Sequence, residues 1–590
     1  MFLIPLPSLL LSGLLSLQLT SAFPSSFNSP EPVLARQVES CNTASNRACW
    51  TDGFDINTDY EVDTPITGIV RNYTLTLTEE DNWTGPDGVV KEKVMLVNGD
   101  IHGPTIYAQW GDTITVRVIN NLETNGTSVH WHGIRQFGSN LQDGVNGITE
   151  CPLPPGSERT YTYIARQYGT SWYHSHFSAQ YGNGVVGAIH IDGPASLPYD
   201  IDLGPFILSD YYHKTADELV IYTETNGAPA SDNVLFNGTT VDPDTSAGEY
   251  AKITLTPGKR HRLRLINTSV ENHFQVSIVD HSMTIISSDF VPVNSFTTDS
   301  IFIGVGQRYD VTIDASQDVA NYWFNVTYGG GGLCGSSNNP YPAAIVQYDG
   351  APDGNPTDEG TAPIDHMCLD TMDISPVVSR TVPTAFTASS GNTMDVHLDL
   401  TAPTFVWYIN NSSEKVDWDK PVAQYVAENE TSFPSDLNTW TVDEEDQWVY
   451  WLIENDPNAL FSLPHPIHLH GHDFVVLGRS PDTSPITQTT YTFDASLLSG
   501  SNPVRRDVTM LPAAGWLVLA FKTDNPGAWL MHCHIAWHVA GGLSVTFLER
   551  LSDYRAGMNQ TDIDVLDSQC TDWNNYFPSQ DPYPQLDSGI

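Results

Sequence analysis

The sequence predicts an all-β protein built from several sandwich or barrel units, and three observations carry that expectation. Short β-rich runs bounded by Gly, Pro, Asn and Asp recur along the whole chain. No long stretch keeps a 3.6-residue apolar period, which excludes an all-helical protein. The 590 residues exceed one ordinary domain, and roughly 150 residues per domain gives about three or four.

Taken in order, the runs are 113–119 (TITVRVI), 159–165 (RTYTYIA), 261–266 (HRLRLI), 311–315 (VTIDA), 516–521 (WLVLAF) and 543–548 (LSVTFL). Their β-branched and aromatic side chains fit a pleated surface, so each is expected to be a strand. A faint repeat runs through them. Pro154-Pro155-Gly156 precedes RTYTY, Thr256-Pro257-Gly258 precedes HRLRL, and Leu511-Pro512 with Gly515 precedes LVLAF. Copies separated by roughly 100 residues or more point to three related β-domains. The stretch 350–363 (GAPDGNPTDEGTAP) is expected to link two of them.

Composition narrows the class further. Apolar residues make up 40 %, with 15 Trp, 25 Tyr and 22 Phe, enough for several packed cores and contrary to a mainly disordered chain. A net charge of −45 argues against nucleic acid and anionic membrane surfaces as partners. Residues 2–19 are uncharged and lead into Thr20-Ser21-Ala22, so 1–22 is expected to be a secretory signal peptide, with a Pro/Ser-rich pro-segment over 23–40. Pro5 and Pro7 count against a membrane helix there. Candidate N-glycosylation sequons stand at Asn72, Asn82, Asn125, Asn237, Asn267, Asn325, Asn410, Asn411, Asn429 and Asn559. Seven cysteines, an odd number, leave at least one without an intramolecular partner in an oxidising compartment, and Cys533 is the one with a reason to be unpaired.

That reason lies in the histidines. Ten of 19 fall in four clusters: His130-Trp131-His132, His174-Ser175-His176, His465-x-x-His468-x-His470, and His532-Cys533-His534-x-x-x-His538. In a strand, residues i and i+2 share a face, so each His-x-His aims two imidazoles into one space, as a polynuclear metal site requires. Imidazole suits copper, zinc, iron or nickel, and Cys533 selects among them. It faces away from His532 and His534, so one metal can bind the thiolate while its chain neighbours bind others. A thiolate, a nearby His538 and a weak or absent axial group describe a blue-copper site once a second histidine is added, for which His465 is the candidate. Tetrahedral zinc would need only four ligands. His190, His213, His397 and His472 are given no role.

HWHG (130–133), WYHSH (172–176), HPIHLHGH (465–472) and HCHIAWH (532–538) together resemble, in order, the four copper motifs of the multicopper oxidases. The resemblance is closer to the ascomycete laccases and runs from about Cys41 to Ile590. It implies three cupredoxin-like Greek-key β-sandwich domains, over 41–193, 194–377 and 378–590, the last ending in a C-terminal plug at Asp587-Ser588-Gly589-Ile590. It implies four copper ions. A type 1 copper would be held by His465, Cys533 and His538, with Leu543 axial and non-bonding. A type 2 copper would take His130 and His468, and a type 3 pair His132, His174, His176, His470, His532 and His534. Disulfides Cys41–Cys49, Cys151–Cys570 and Cys334–Cys368 are implied as well. Glu271 resembles the acid of the substrate pocket, with Phe405, Trp407, Phe461, Leu463 and His538 around it, and Asp143 is a candidate proton donor near the copper cluster.

The expected activity is that of a secreted, extracellular, monomeric laccase. It would oxidise phenolic and related aromatic small molecules by single electrons and reduce O2 to water, with lignin degradation among the roles such chemistry serves. A ferroxidase-type multicopper oxidase is the nearest alternative, and a non-catalytic secreted β-sandwich binding protein is the alternative from another class.

Overall fold

The computed structural model describes residues 41–401, 404–456, 462–481, 491–578 and 583–590. The expected signal peptide and pro-segment lie outside the described residues, as does Phe461.

Six sheets pair into three sandwiches, all-β as expected, and the three share one strand plan. In the first, Val90–Val97, Val70–Thr84, Thr113–Asn120 and Glu158–Ile164 lie side by side in that order. Facing them are Gly103–Gln109, Val186–Asp192, Gly169–Ser175 and Val129–Trp131. Leu75, Ile114, Val116 and Tyr161 of one sheet form a single buried core with Ile106, Tyr173 and Ile189 of the other. The second sandwich repeats the first sheet as Asn233–Phe236, Ile201–Tyr211, Arg260–Asn267 and Arg308–Asp314, and the third as Val406–Ile409, Thr393–Asp399, Trp448–Asn455 and Trp516–Lys522. In each, the second and third strands run parallel and the third and fourth antiparallel.

This plan corrects the sequence repeat by one strand. Glu158–Ile164 and Trp516–Lys522 are both fourth strands, but HRLRL belongs to a third strand. The true counterpart in the second sandwich is Arg308–Asp314. A turn followed by alternation marks any strand, so it cannot tell neighbouring strands apart.

The stretch expected as a linker is pinned rather than free. Asn321 Nδ2 donates to the carbonyls of Pro352 and Gly354. Further on, buried Asp370 accepts from Arg506 (2.9 Å), Thr509 (2.8 Å) and Gln307 (3.0 Å), tying the crossing chain to both neighbouring sandwiches.

One long helix, Gln560–Tyr576, was not expected. Its buried residues Leu566, Gln569, Cys570 and Trp573 follow helical spacing, a stripe that the sequence does contain. Asn559 caps it by accepting the N–H of Asp562. The disulfide Cys151–Cys570 bolts the helix to the first sandwich. Cys41–Cys49 and Cys334–Cys368 are also bonded, and Cys533 is the free cysteine, buried.

Two candidate sequons are corrected by burial. Asn267 is 0 % exposed and Asn125 5 %. Asn267 Nδ2 donates to the carbonyls of Asn272 and Ile303, and Asn125 Nδ2 is enclosed, so neither can carry a glycan in the folded chain. The other eight are exposed or half-exposed.

Candidate metal centre

The histidine clusters meet because the strands that carry them pair. Val129–Trp131 runs antiparallel to Gly169–Ser175 with His130 opposite His174, and His465–Leu469 runs antiparallel to Gly527–Cys533 with His468 opposite His532. Both Gly169–Ser175 and Gly527–Cys533 are buried along their whole length, so the imidazoles are shielded from solvent. The second histidine of each i, i+2 pair, His132, His176, His470 or His534, stands just beyond the strand end rather than within the strand. His538 is on the short helix Ala536–Ala540, directly after Cys533.

Four groups of potential ligand atoms result, all buried. His465 Nδ1, His538 Nδ1 and Cys533 Sγ form a triangle with sides of 3.1, 3.4 and 3.5 Å. His132, His174 and His534 form a second group, and His176, His470 and His532 a third. His130 and His468 come together in the fourth, beside His132. Thus the first and third sandwiches supply every one of these side chains.

The donor set fits metal. An imidazole ligand uses one ring nitrogen and donates the other N–H to an oxygen. His130, His174 and His468 hold Nδ1 at 2.9 Å from the carbonyls of Asp143, Ser175 and Asp507, while Nε2 of each is buried without a hydrogen-bond partner among the described residues. Burial pushes His465 and His532 down to about 3, and His132, His174, His176, His468, His470, His534 and His538 well below the usual histidine range. They are therefore neutral, the form that ligates. Burial raises the Cys533 thiol, so it stays protonated until a metal ion displaces the proton. Neutral imidazoles around a thiol suit copper.

The supporting atoms are largely invisible in the sequence. Asp143 is in place, with Oδ2 2.8 Å from His470 Nδ1 and Oδ1 3.3 Å from His130 Nδ1. Asp507 is a residue that sequence reasoning missed: its Oδ1 lies 3.2 Å from His132 Nε2 and 3.6 Å from His468 Nδ1. Its one signal is the charged triplet Arg505-Arg506-Asp507 inside an otherwise apolar run. The unassigned histidines make local contacts instead. His472 Nε2 is 2.9 Å from Glu549, His190 pairs with Asp192, His213 pairs with Asp87, and the His397 ring stacks on Tyr408.

Beside the Cys533 group opens a cavity of about 610 Å3, lined by Glu271, Phe405, Trp407, Leu463, Trp537 and His538 among others. Trp407 packs on both imidazoles, with ring centroids 4.5 Å from His538 and 4.9 Å from His465. Burial, and then the neighbouring Asp210 carboxylate, push Glu271 up to about 8. Leu543 is 1 % exposed, and its backbone ties the group together by accepting from Cys533 N (3.1 Å) and donating to His538 O (3.0 Å). Residues 587–590 are buried as well: Ile590 lines a small space with His174, His176, His532 and His534, while Asn146 and Trp418 donate to the Gly589 carbonyl.

A buried thiol whose two chain neighbours belong to separate histidine groups, set in repeated β-sandwiches, defines a copper-dependent oxidase. Multicopper oxidase family models match residues 77–196, 202–351 and 397–553, and the chain belongs to that family. Within it the chain groups with the fungal laccases and is an oxidoreductase of their kind. It is 67 % identical to a laccase of Cryphonectria parasitica over 98 % of this chain and 99 % of the relative. The crystal structure of the laccase from Botrytis aclada superposes with a TM-score of 0.85 at 38 % identity, covering 93 % of this chain and 100 % of that one. Fet3p, a multicopper oxidase that functions in iron import, is more distant: TM-score 0.75 and 25 % identity over 85 % and 95 % of the two chains. The laccase reading is therefore favoured over the ferroxidase one.

Proposed function

We propose that this laccase holds four copper ions and oxidises phenolic small molecules with O2. His465, Cys533 and His538 would hold a type 1 ion, with Leu543 as a non-bonding neighbour; His130 and His468 would hold a type 2 ion, and His132, His174 and His534 with His176, His470 and His532 a type 3 pair. When bound, copper supplies the one-electron acceptor beside Cys533 and, at the histidine-only groups, the centre where O2 takes up four electrons and becomes two waters. The observation that carries this reading is the Cys533 triangle, because His532 and His534 follow from it within one peptide unit on either side.

The chain's own groups do the rest. Phe405, Trp407 and Leu463 shape an apolar wall for an aromatic ring, and His538 borders the same cavity. Glu271 receives the proton that a phenol releases as it loses an electron. Four phenols give four electrons and four protons per O2, and Asp143, between His470 and His130, relays protons toward the oxygen side. Residues 587–590 act as a plug beside the type 3 histidines. We take the domains as 41–193, 194–377 and 378–590, and the protein as a secreted, extracellular, glycosylated monomer. Among the described residues no helix is long and apolar enough to cross a membrane.

The direct test is a visible spectrum with copper quantified on the same sample. A band near about 600 nm, a shoulder near about 330 nm and about four coppers per chain are expected. A protein that stays colourless after copper loading overturns the reading. The role of Leu543 beside that ion has its own test, Leu543→Met. A thioether favours the oxidised ion, so the type 1 potential should fall by roughly 60 mV for each tenfold of that preference. An unchanged potential would contradict that role.

A further inference from the structure

Glu271 Oε2 is buried without a hydrogen-bond partner among the described residues. The direction of the side chain is set from its backbone, which belongs to the turn 267–272. Three N–H groups of that turn are held by one buried carboxylate from a strand. Asp210, near the end of Ile201–Tyr211, accepts three consecutive N–H groups: Val270 N on Oδ1 (2.9 Å), and Glu271 N (2.9 Å) and Asn272 N (3.0 Å) on Oδ2. Its own N–H donates to Ser269 Oγ at 3.0 Å. The same turn reaches the copper side, because the Val270 carbonyl accepts from Ala536 N (2.8 Å), the first residue of the helix that carries His538.

We propose that Asp210 is the positioning residue of the phenol-oxidising site, fixing the direction of Glu271 through the turn 267–272. The proposal rests on the reading of Glu271 as the acid that accepts the substrate proton. Charged acceptors bind backbone N–H groups more strongly than neutral ones, and a carboxylate has lone pairs enough for three. An asparagine keeps the shape but turns one oxygen into a donor, so at least one N–H loses its partner. Asp210 touches neither substrate nor ligand side chains by any contact above, so its effect must travel through the turn.

The test compares two electron donors on the copper-loaded enzyme: a phenol, which must shed a proton, and ferrocyanide, which has none to shed. Asp210→Asn is expected to lower kcat/KM for the phenol about tenfold and for ferrocyanide less than about twofold. Ser269→Ala, which removes an anchor of Asp210 without changing charge, should give the same split at about two- to threefold and keeps the test alive where Asp210→Asn does not fold. Hydrogen exchange of 268–272 should quicken in both variants, with the rest of the second sandwich unchanged. Equal losses for both donors, or no loss for either, would overturn the positioning role. Glu271→Gln separates the two levels. If it leaves the phenol rate untouched, the reading of Glu271 fails; if it lowers that rate selectively while the Asp210 and Ser269 variants do not, only the positioning role fails.

Discussion

Cys533→Ser is expected to yield a protein with no intense band near about 600 nm, about three coppers per chain and no phenol oxidase turnover. Sulfur is the one soft donor in the triangle with His465 and His538, and the visible band of a blue-copper site belongs to its thiolate. A serine hydroxyl is a hard donor that stays protonated at neutral pH, so the two imidazoles are left to hold the ion alone. The other three ions should remain, because the groups around His132, His176 and His130 draw on separate side chains anchored to their own carbonyls and carboxylates. Folding should survive, since one small buried side chain replaces another at a cost of about 1–3 kcal/mol. Electron paramagnetic resonance with copper analysis reads all of this on one sample. A variant that keeps its blue colour would remove Cys533 from the site.

That prediction draws on features legible in the sequence, and the reason is local. Each His-x-His pair, and the Cys533–His538 spacing, lies within a few residues, where strand periodicity dictates direction. The histidine clusters could be grouped from spacing and resemblance before any contact was known. What spacing could not supply were partners from distant segments. Asp507 lies 375 positions beyond His132, yet their side chains are 3.2 Å apart. Asp210 stands near the end of a strand of the second sandwich and Glu271 in the turn 267–272, and the hydrogen bond between them uses a backbone N–H, which leaves no trace in side-chain pattern. The buried sequons Asn125 and Asn267 make the converse point: a three-residue motif says nothing about the tertiary enclosure of its asparagine. The helix Gln560–Tyr576 was missed for a different reason. Its stripe of four includes a Gln and a Cys, so a count of apolar residues alone does not reveal the period.

Arg308→Met should have the largest effect on stability, because this one side chain joins all three sandwiches. From the second it forks onto Asp507 of the third, with Nη1 and Nη2 each 2.6 Å from a carboxylate oxygen, and Nε donates to the Thr170 carbonyl of the first at 3.2 Å. Arg308, Asp507 and Asp289 are all 0 % exposed. Burial pushes the Asp507 carboxyl up even beside the Arg308 guanidinium, so the cation is what keeps a charge tolerable there. Methionine fills much of the volume and leaves two carboxylates facing each other with one fewer counter-charge. Breaking a buried pair in this way costs about 3–5 kcal/mol. The damage should be directional as well. Asp507 contacts His132 and, through its carbonyl, His468, so loosened Asp507 should release copper from the histidine-only groups before the Cys533 triangle is disturbed. The expected variant unfolds at lower temperature and keeps its band near about 600 nm, but loses the shoulder near about 330 nm and O2 turnover. Arg308→Met combined with Asp507→Leu should recover part of the thermal loss, since an apolar pair can replace a buried ion pair, without recovering turnover. A single variant with unchanged melting temperature and full copper content would show that the sandwiches are held in register by something other than this residue.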